Sequence, residues 1–102
     1  MFNKFNRNKR SLTLRLDHPT GKALLEKLVR SADVVVDNYS PRVMGHLGLG
    51  DDRLFELNPA VILASMPGYG LSGPYRDFVA YGSVLEPAAG LSSIMGYADS
   101  GP

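Results

Sequence analysis

The pattern of apolar and polar residues along the chain predicts three β-strands. Residues 11–16 place leucine at every second position, which is typical of a half-buried strand. Residues 33–38 and 61–65 instead contain short continuous apolar runs. Such runs favour parallel strands that are covered on both faces.

One helix is predicted between the first and second of these strands, and another is predicted shortly after the second. Pro19 lies in the first turn of the first helix, and its apolar stripe extends to Val29. The second helix is short. It is predicted to begin at Ser40-Pro41, to continue through Leu47 and to be closed by Gly48.

Two further helices are predicted from their end signals. One is capped by an aspartate of the pair at 51–52 and ends before Asn58-Pro59. The other begins at residues 83–86, which have the form of a capping box, because Glu stands three residues after Ser. We expect this last helix to tolerate Pro87 and to continue to about Met95.

The predicted order is strand, helix, strand, helix, helix, strand, loop and helix, after an irregular polar segment at residues 1–10. Strands that alternate with helices favour an α/β fold with a Rossmann-like parallel sheet and flanking helices. A length of 102 residues with 44% apolar content is compatible with one small domain, although this is short for such a sheet.

A glycine-rich loop, residues 67–76, follows the third predicted strand. Open α/β sheets place ligands at this end of a strand, and glycine lets the backbone approach a ligand closely. Tyr69, Tyr75 and Arg76 add aromatic surface and a positive charge. The loop matches neither a Walker A motif nor a dinucleotide fingerprint. A ligand-binding loop and a tight turn that happens to be rich in glycine are both compatible with it.

The loop after the second predicted strand, residues 38–42, is the other expected ligand position. Asn38 can donate and accept hydrogen bonds, Tyr39 can stack on a base, and the helix start at Pro41 favours a phosphate. The alternative interpretation is a turn in which Ser40 caps the helix.

The remaining residues exclude several kinds of chemistry. The chain contains no cysteine, and neither His18 nor His46 has a second ligand at metal-binding spacing, so we expect no metal site. No spacing indicates paired carboxylates or a Gly-x-Ser-x-Gly nucleophile, so we assign no catalytic residue. No apolar run is long enough to span a membrane, and no secretory signal is present, so we expect a cytoplasmic protein.

Charge is unevenly distributed along the chain. Residues 1–30 carry eight basic and two acidic groups, whereas residues 31–102 carry three basic and eight acidic groups. The basic half suits a phosphate-bearing partner, or it is simply a solvated surface. Nucleic-acid binding by residues 1–30 is a weaker interpretation, because the chain has no recognition motif and its second half is acidic.

Five blocks of sequence, taken in order, resemble the class III coenzyme A transferases of the CaiB/BaiF type. That family includes formyl-CoA and carnitine CoA-transferases and the α-methylacyl-CoA racemases. The blocks are Asn6-Arg7-Asn8-Lys9-Arg10-Ser11-Leu12-Thr13-Leu14, Pro19 to Leu25, Ala32 to Tyr39, Leu47-Gly48-Leu49-Gly50, and Leu57 to Arg76. The resemblance implies that residues 1–102 are a partial CoA-binding Rossmann-like domain, part of the family's large N-terminal domain and incomplete at both ends.

The resemblance also implies a set of coenzyme A contacts. The segment Leu14 to Asp17 would follow the nucleotide end, Asn38 and Tyr39 would contact the adenosine or pantetheine region, and Met66 to Tyr69 would line the pantetheine path. His46 falls where relatives often carry an arginine for a CoA phosphate. The implied contact residues are therefore Leu14, Arg15, Leu16, Asp17, Asn38, Tyr39, His46, Met66, Pro67, Gly68 and Tyr69.

The family resemblance implies transfer of CoA from an acyl-CoA to a carboxylic acid acceptor, in an interlocked homodimer. In relatives, the nucleophilic aspartate lies past a Gly-Pro that resembles Gly101-Pro102, so we expect residues 1–102 alone to be inactive. Tyr81 stands where the racemases carry a proton-transferring histidine, which favours a transferase. A racemase-type fragment and a non-catalytic remnant remain the alternatives.

Overall fold

A computed structural model describes residues 1–96, which form helices and a small parallel sheet. The α-helices are α1 (Phe2–Phe5), α2 (Pro19–Val29), α3 (Val43–His46), α4 (Asp51–Leu57) and α5 (Gly82–Ala88). The strands are β1 (Val34–Asp37) and β2 (Ile62–Ser65), and a 3₁₀-helix spans Leu91–Ile94. The fold is therefore mixed α/β, as predicted.

The sheet has two parallel strands, with Val34 opposite Ile62 and Asp37 opposite Ser65. The chain crosses from β1 to β2 through α3 and α4. Because the strands are parallel and in register, their carboxyl ends meet at one edge of the sheet. The Met66 amide donates to the Asp37 carbonyl at 2.9 Å, so the loops that follow the two strands leave the sheet side by side.

The buried core lies on one face of this sheet, where α2 and α4 meet. Its members are all apolar and come from α2, α3, α4 and the two strands: Val29, Leu54 and Leu57, with Leu25, Val35, Met44 and Leu63 packed against them. The opposite face carries Val34, Val36 and Ile62, which are 48%, 62% and 62% exposed. The prediction that helices cover both faces is therefore wrong for the described residues, because α2 and α4 contribute to the same side.

Asn58 joins the end of α2 to the start of β2. Its side-chain Nδ2 donates to the carbonyls of Val29 and Ala32 at 3.1 and 2.8 Å, and its Oδ1 accepts from the Ala60 amide at 3.1 Å. The partly buried side chain of Asn58 thus satisfies three backbone hydrogen-bonding groups. This explains why α4 ends just before Asn58 and the chain then turns into β2.

The strand predicted at residues 11–16 is absent, so the sheet within residues 1–96 has two strands rather than three. Leu12 is 63% exposed, and neither β1 nor β2 pairs with the segment. The segment crosses the start of α2 instead. A side-chain carbon at Gly21 would overlap the carbonyl oxygen of Arg15, so the backbone of this segment lies directly against α2.

The early helix ends also differ from the predictions. The segment predicted to be irregular contains the one-turn helix α1. Helix α3 begins at Val43, and its N-cap is Arg42 rather than Ser40. Gly50 caps α4, which places Asp51 and Asp52 in its first turn, where a carboxylate still interacts favourably with the helix dipole.

The last predicted helix is shorter than expected. Tyr81 is the N-cap of α5, so residues 83–86 do not form a capping box, and the helix ends at Ala88. Pro87 cannot donate a helical hydrogen bond, and Gly90 adopts a positive φ of 78° before the 3₁₀-helix begins. These two residues separate what was predicted to be one continuous helix.

The chain is extended compared with a compact domain of its length. Its radius of gyration is 17.7 Å, against about 13 Å for a compact domain of 100 residues. Among residues 1–96, no helix combines the length and apolar character needed to cross a bilayer.

Candidate functional site

Hydrogen bonds at the ends of both strands fix the start of the loop that follows β1. The Ser65 hydroxyl donates to Oδ2 of Asp37 at 2.6 Å, and the Tyr39 amide donates to Oδ1 at 3.2 Å. One carboxylate therefore links β2 to the first turn after β1. This side chain was not predicted as a site residue, although its place at the carboxyl end of a strand was a usable signal.

The glycine-rich loop turns immediately after β2. The Gly70 amide donates to the Pro67 carbonyl at 3.1 Å, and Gly70 has a φ of +82°, a conformation that glycine adopts without strain. A side-chain carbon at Gly68 would overlap the Cβ of Ala80 and crowd Leu85. The loop therefore returns to pack directly against the segment that leads into α5.

Three aromatic rings hold the middle of this loop together. The ring centroids of Tyr69 and Tyr75 are 6.1 Å apart, and Phe78 lies 6.2 Å from Tyr69 and 5.2 Å from Tyr75. Tilted and edge-on contacts at these distances are favourable. The rings thus support one another within the loop, while Tyr75 and Phe78 remain 57% and 61% exposed.

A shallow cleft lies between the loops that follow β1 and β2. Its volume is about 140 Å³. Pockets that enclose a small molecule typically measure about 300–1,000 Å³, so this cleft suits one section of an elongated ligand. The lining residues come from the two loops and the approach to α5: Asn38, Tyr39, Ser40, Pro41, Pro67, Gly68, Arg76, Phe78, Val79 and Ala80.

The cleft brings together four of the eleven predicted contact residues: Asn38, Tyr39, Pro67 and Gly68. Met66 precedes it with a side chain that is 61% exposed, and Tyr69 faces the aromatic cluster. His46 is the exposed last residue of α3 and does not line the cleft. The segment Leu14 to Asp17 does not line it either.

That N-terminal segment has its own charge arrangement. The Arg15 guanidinium donates to both carboxylate oxygens of Asp17, at 3.2 and 2.6 Å. This hydrogen bonding lowers the pKa of Asp17 below its ordinary value. Leu14 and Leu16 are half-buried. Asp17 borders a separate recess on the first turns of α2, so the predicted site residues do not all lie at one place in the described structure.

Sequence reasoning missed Phe78, Val79 and Ala80, which form one wall of the cleft. They belong to no periodic pattern, and only the return of the glycine-rich loop brings them to the ends of the strands. Within residues 1–96, no three His, Asp or Glu side chains are close enough to hold a metal ion.

Comparison with known proteins places this fold in a family. The sequence profile of "CoA-transferase family III" matches residues 1–102. Formyl-CoA:oxalate CoA-transferase from Rhodopseudomonas palustris (strain HaA2) is 42% identical over 101 residues, which are 99% of this chain and 24% of that protein. Succinyl-CoA–D-citramalate CoA-transferase from Chloroflexus aurantiacus is 41% identical over 96 residues, 94% of this chain and 24% of that protein.

The structural comparison agrees. A CAIB/BAIF family protein from Brucella suis superposes with a TM-score of 0.86 at 33% identity, over 95% of this chain and 26% of that one. The chain thus spans about a quarter of the length of the curated relatives it matches. From the match along its whole length and the shared fold, we conclude that the chain belongs to CoA-transferase family III.

Proposed function

We propose that residues 1–102 are the CoA-binding part of an acyl-CoA:carboxylate CoA-transferase, within a Rossmann-like domain. One observation carries the proposal. The ends of β1 and β2 bring Asn38, Tyr39, Pro67 and Gly68 to a single cleft, in a chain whose family is defined by CoA transfer. Loops at the carboxyl ends of parallel strands are the usual ligand positions of open α/β sheets.

The named activities of two relatives support the proposed substrate class. One is a formyl-CoA:oxalate CoA-transferase and the other a succinyl-CoA–D-citramalate CoA-transferase. Both names describe CoA passing from an acyl-CoA to a second acid. We therefore propose an acyl-CoA donor and a carboxylic acid acceptor for the protein to which these residues belong.

The chemistry of the cleft suits the pantetheine arm or the adenosine end of CoA. The Asn38 amide can donate to and accept from a ligand amide or a base edge, and the Tyr39 ring, 48% exposed, is available for stacking. Phe78 and Val79 offer an apolar wall, 61% and 73% exposed. Covering that wall with methylene groups of a ligand removes apolar surface from water, which favours binding.

We propose that other residues contact the parts of CoA that extend beyond the cleft. They are the N-terminal segment Leu14 to Asp17, His46 and Met66. A cleft of about 140 Å³ leaves most of such a ligand outside it. The exposed sheet face around Val36 supports the further proposal that additional chain packs there, as an interlocked homodimer would allow.

We expect residues 1–102 to bind CoA without catalysing its transfer, because no complete set of catalytic groups lines the cleft in residues 1–96. The nucleophilic carboxylate is proposed to come from sequence outside these residues. Tyr81 stands where the racemases carry a proton-transferring histidine, and a phenol is a poorer general acid–base than an imidazole, so a transferase is preferred to a racemase.

The proposal is tested by calorimetric titration of CoA into the longest protein that the gene encodes. We expect saturable binding that weakens about tenfold in Asn38→Ala or Tyr39→Ala, a loss typical of one good contact. Phe55→Ala is the matched control, because Phe55 lies on α4 outside the cleft and is 44% exposed. Absence of binding at millimolar CoA would refute the proposal.

A further inference from the structure

Arg76 is the one charged residue that lines the cleft in the described structure. The other lining residues are apolar, glycine, or uncharged polar side chains. The Arg76 side chain is 50% exposed, so its guanidinium is accessible to a ligand. A guanidinium presents five N–H donors in a planar fork, which matches the oxygen atoms of a phosphate or a carboxylate.

A neighbouring carboxylate holds this arginine in place. Oδ2 of Asp77 lies 3.5 Å from Nε of Arg76 and accepts a hydrogen bond from the Arg42 guanidinium at 2.7 Å. The hydrogen bond from Arg42, aided by the charge of Arg76, lowers the pKa of Asp77 below its ordinary value. Asp77 therefore stays ionised at neutral pH, and two guanidinium groups share one carboxylate.

This shared ion pair leaves one net positive charge beside the cleft. It also connects the two walls. Arg42 follows Pro41 on the β1 side, and Asp77 follows Arg76 on the side of the glycine-rich loop. Asp77 contacts Arg42 at 2.7 Å, whereas its contact with Arg76 is longer, at 3.5 Å, and involves only Nε. The two terminal nitrogens of Arg76 can therefore turn toward the cleft.

We propose that Arg76 is an anion-binding residue of the cleft that recognises a phosphate or carboxylate group of the bound substrate. Asp77 and Arg42 are positioning residues that orient Arg76 and hold the two loops together. This inference rests on the proposed CoA-binding function and adds the residue that binds the negatively charged group of the ligand.

The test compares Arg76→Gln and Arg76→Lys with wild type in calorimetric titrations of CoA, 4′-phosphopantetheine, pantetheine and oxalate. Arg53→Gln is the control, because Arg53 pairs with Glu26 and Glu56 away from the cleft. We expect Arg76→Gln to weaken binding of the anionic ligand at least tenfold, Arg76→Lys to recover part of that loss, and Arg53→Gln to match wild type.

The four probes distinguish the source of the anion. Weaker binding of CoA and 4′-phosphopantetheine, with pantetheine unchanged, assigns Arg76 to a phosphate. Weaker binding of oxalate, with CoA unchanged, assigns it to the carboxylate of the acid. Equal affinity of wild type and Arg76→Gln for all four probes overturns the inference, and so does an equal loss for pantetheine and CoA. Failure of the wild type itself to bind CoA would refute the proposed function instead.

A second measurement tests the positioning role. Asp77→Asn is expected to weaken binding of the anionic probe assigned to Arg76 about threefold in the wild-type background and to have no further effect in the Arg76→Gln background, because it acts through Arg76. An equal loss in both backgrounds would indicate that Asp77 only stabilises the loop, and would overturn its positioning role.

Discussion

Two regions of the described structure are stabilised in different ways. Residues 19–65 contain every buried residue: Gly21, Val29, Leu49, Leu54, Leu57 and Val61. Residues 66–96 contain none, and they are held by tight turns, an aromatic cluster and the ion pairs of Asp77. The first region is a packed scaffold, and the second consists of loops and short helices arranged on it.

This contrast explains where binding chemistry can be placed. A packed scaffold gives the ends of β1 and β2 fixed positions, while the loops that follow them present side chains and free backbone to a ligand. Changes in the scaffold should therefore mainly reduce the free energy of unfolding, whereas changes in the loops should mainly reduce affinity and alter stability only slightly. Four substitutions test this division.

The largest expected effect comes from Leu54→Ala in the scaffold. Leu54 is 3% exposed at the contact of α4 with α2 and β1. Removing its side chain leaves a cavity and should lower the free energy of unfolding by about 2–5 kcal/mol, measured by urea denaturation. Phe55→Ala, at a neighbouring residue that is 44% exposed, should cost clearly less. Equal losses of stability in the two variants would mean that Leu54 is not buried between α2 and α4 in solution.

The second-largest effect is expected from Asn58→Ala. It removes the donor to the carbonyls of Val29 and Ala32 and the acceptor for the Ala60 amide. The Val29 carbonyl keeps the Ala32 amide as a donor, but loss of the hydrogen bonds to the Ala32 carbonyl and from the Ala60 amide should cost about 1–3 kcal/mol in the same denaturation experiment. Asn38→Ala, in the exposed loop after β1, should leave the midpoint unchanged. A midpoint for Asn58→Ala equal to that of wild type would contradict this role.

Gly68→Ala should affect the loops rather than the scaffold. The added carbon would overlap the Cβ of Ala80, so the glycine-rich loop must move away from α5 and the cleft must change shape. We expect CoA affinity to fall about tenfold, roughly 1.4 kcal/mol, while the urea midpoint stays within error. Gly82→Ala is the control, because a carbon there meets no atom within 4 Å. Unchanged affinity in Gly68→Ala would exclude this wall of the cleft from binding.

The smallest expected effect is the pH dependence that Asp77 confers. Its pKa is lowered by Arg42, so the ionised form is favoured by folding. Its contribution is present at neutral pH and is lost as the pH falls below the ordinary aspartate value of about 3.9. The melting temperature of Asp77→Asn should therefore lie slightly below that of wild type at pH 7, and this difference should narrow at pH 3. The same difference at both pH values would contradict this assignment.

The sequence predicted the scaffold better than the loops. The apolar runs that became β1 and β2, and the proline start of α2, carry local signals that agree with their tertiary contacts. Residues 11–16 carry a strand pattern without an available strand partner, so they pack over Gly21 instead. The end of α5 was placed too late because Pro87 and Gly90 outweigh the apolar pattern.

The sequence likewise predicted one part of the candidate site and missed another. Asn38, Tyr39, Pro67 and Gly68 follow directly from the rule that ligands bind at the ends of parallel strands, and all four line the cleft. The wall formed by residues 78–80 required knowledge of how the glycine-rich loop folds back. That path depends on the close contact at Gly68 and on the ion pairs of Asp77, neither of which has a signature in sequence.

The account's central claim is that the loops after β1 and β2 form a CoA site on a scaffold that does not change. Hydrogen exchange measured with and without saturating CoA, on the longest protein that the gene encodes, tests it most directly. We predict slower exchange in residues 38–42 and 67–80, and unchanged exchange in α4. Unchanged exchange in both loops while CoA is bound would contradict the claim.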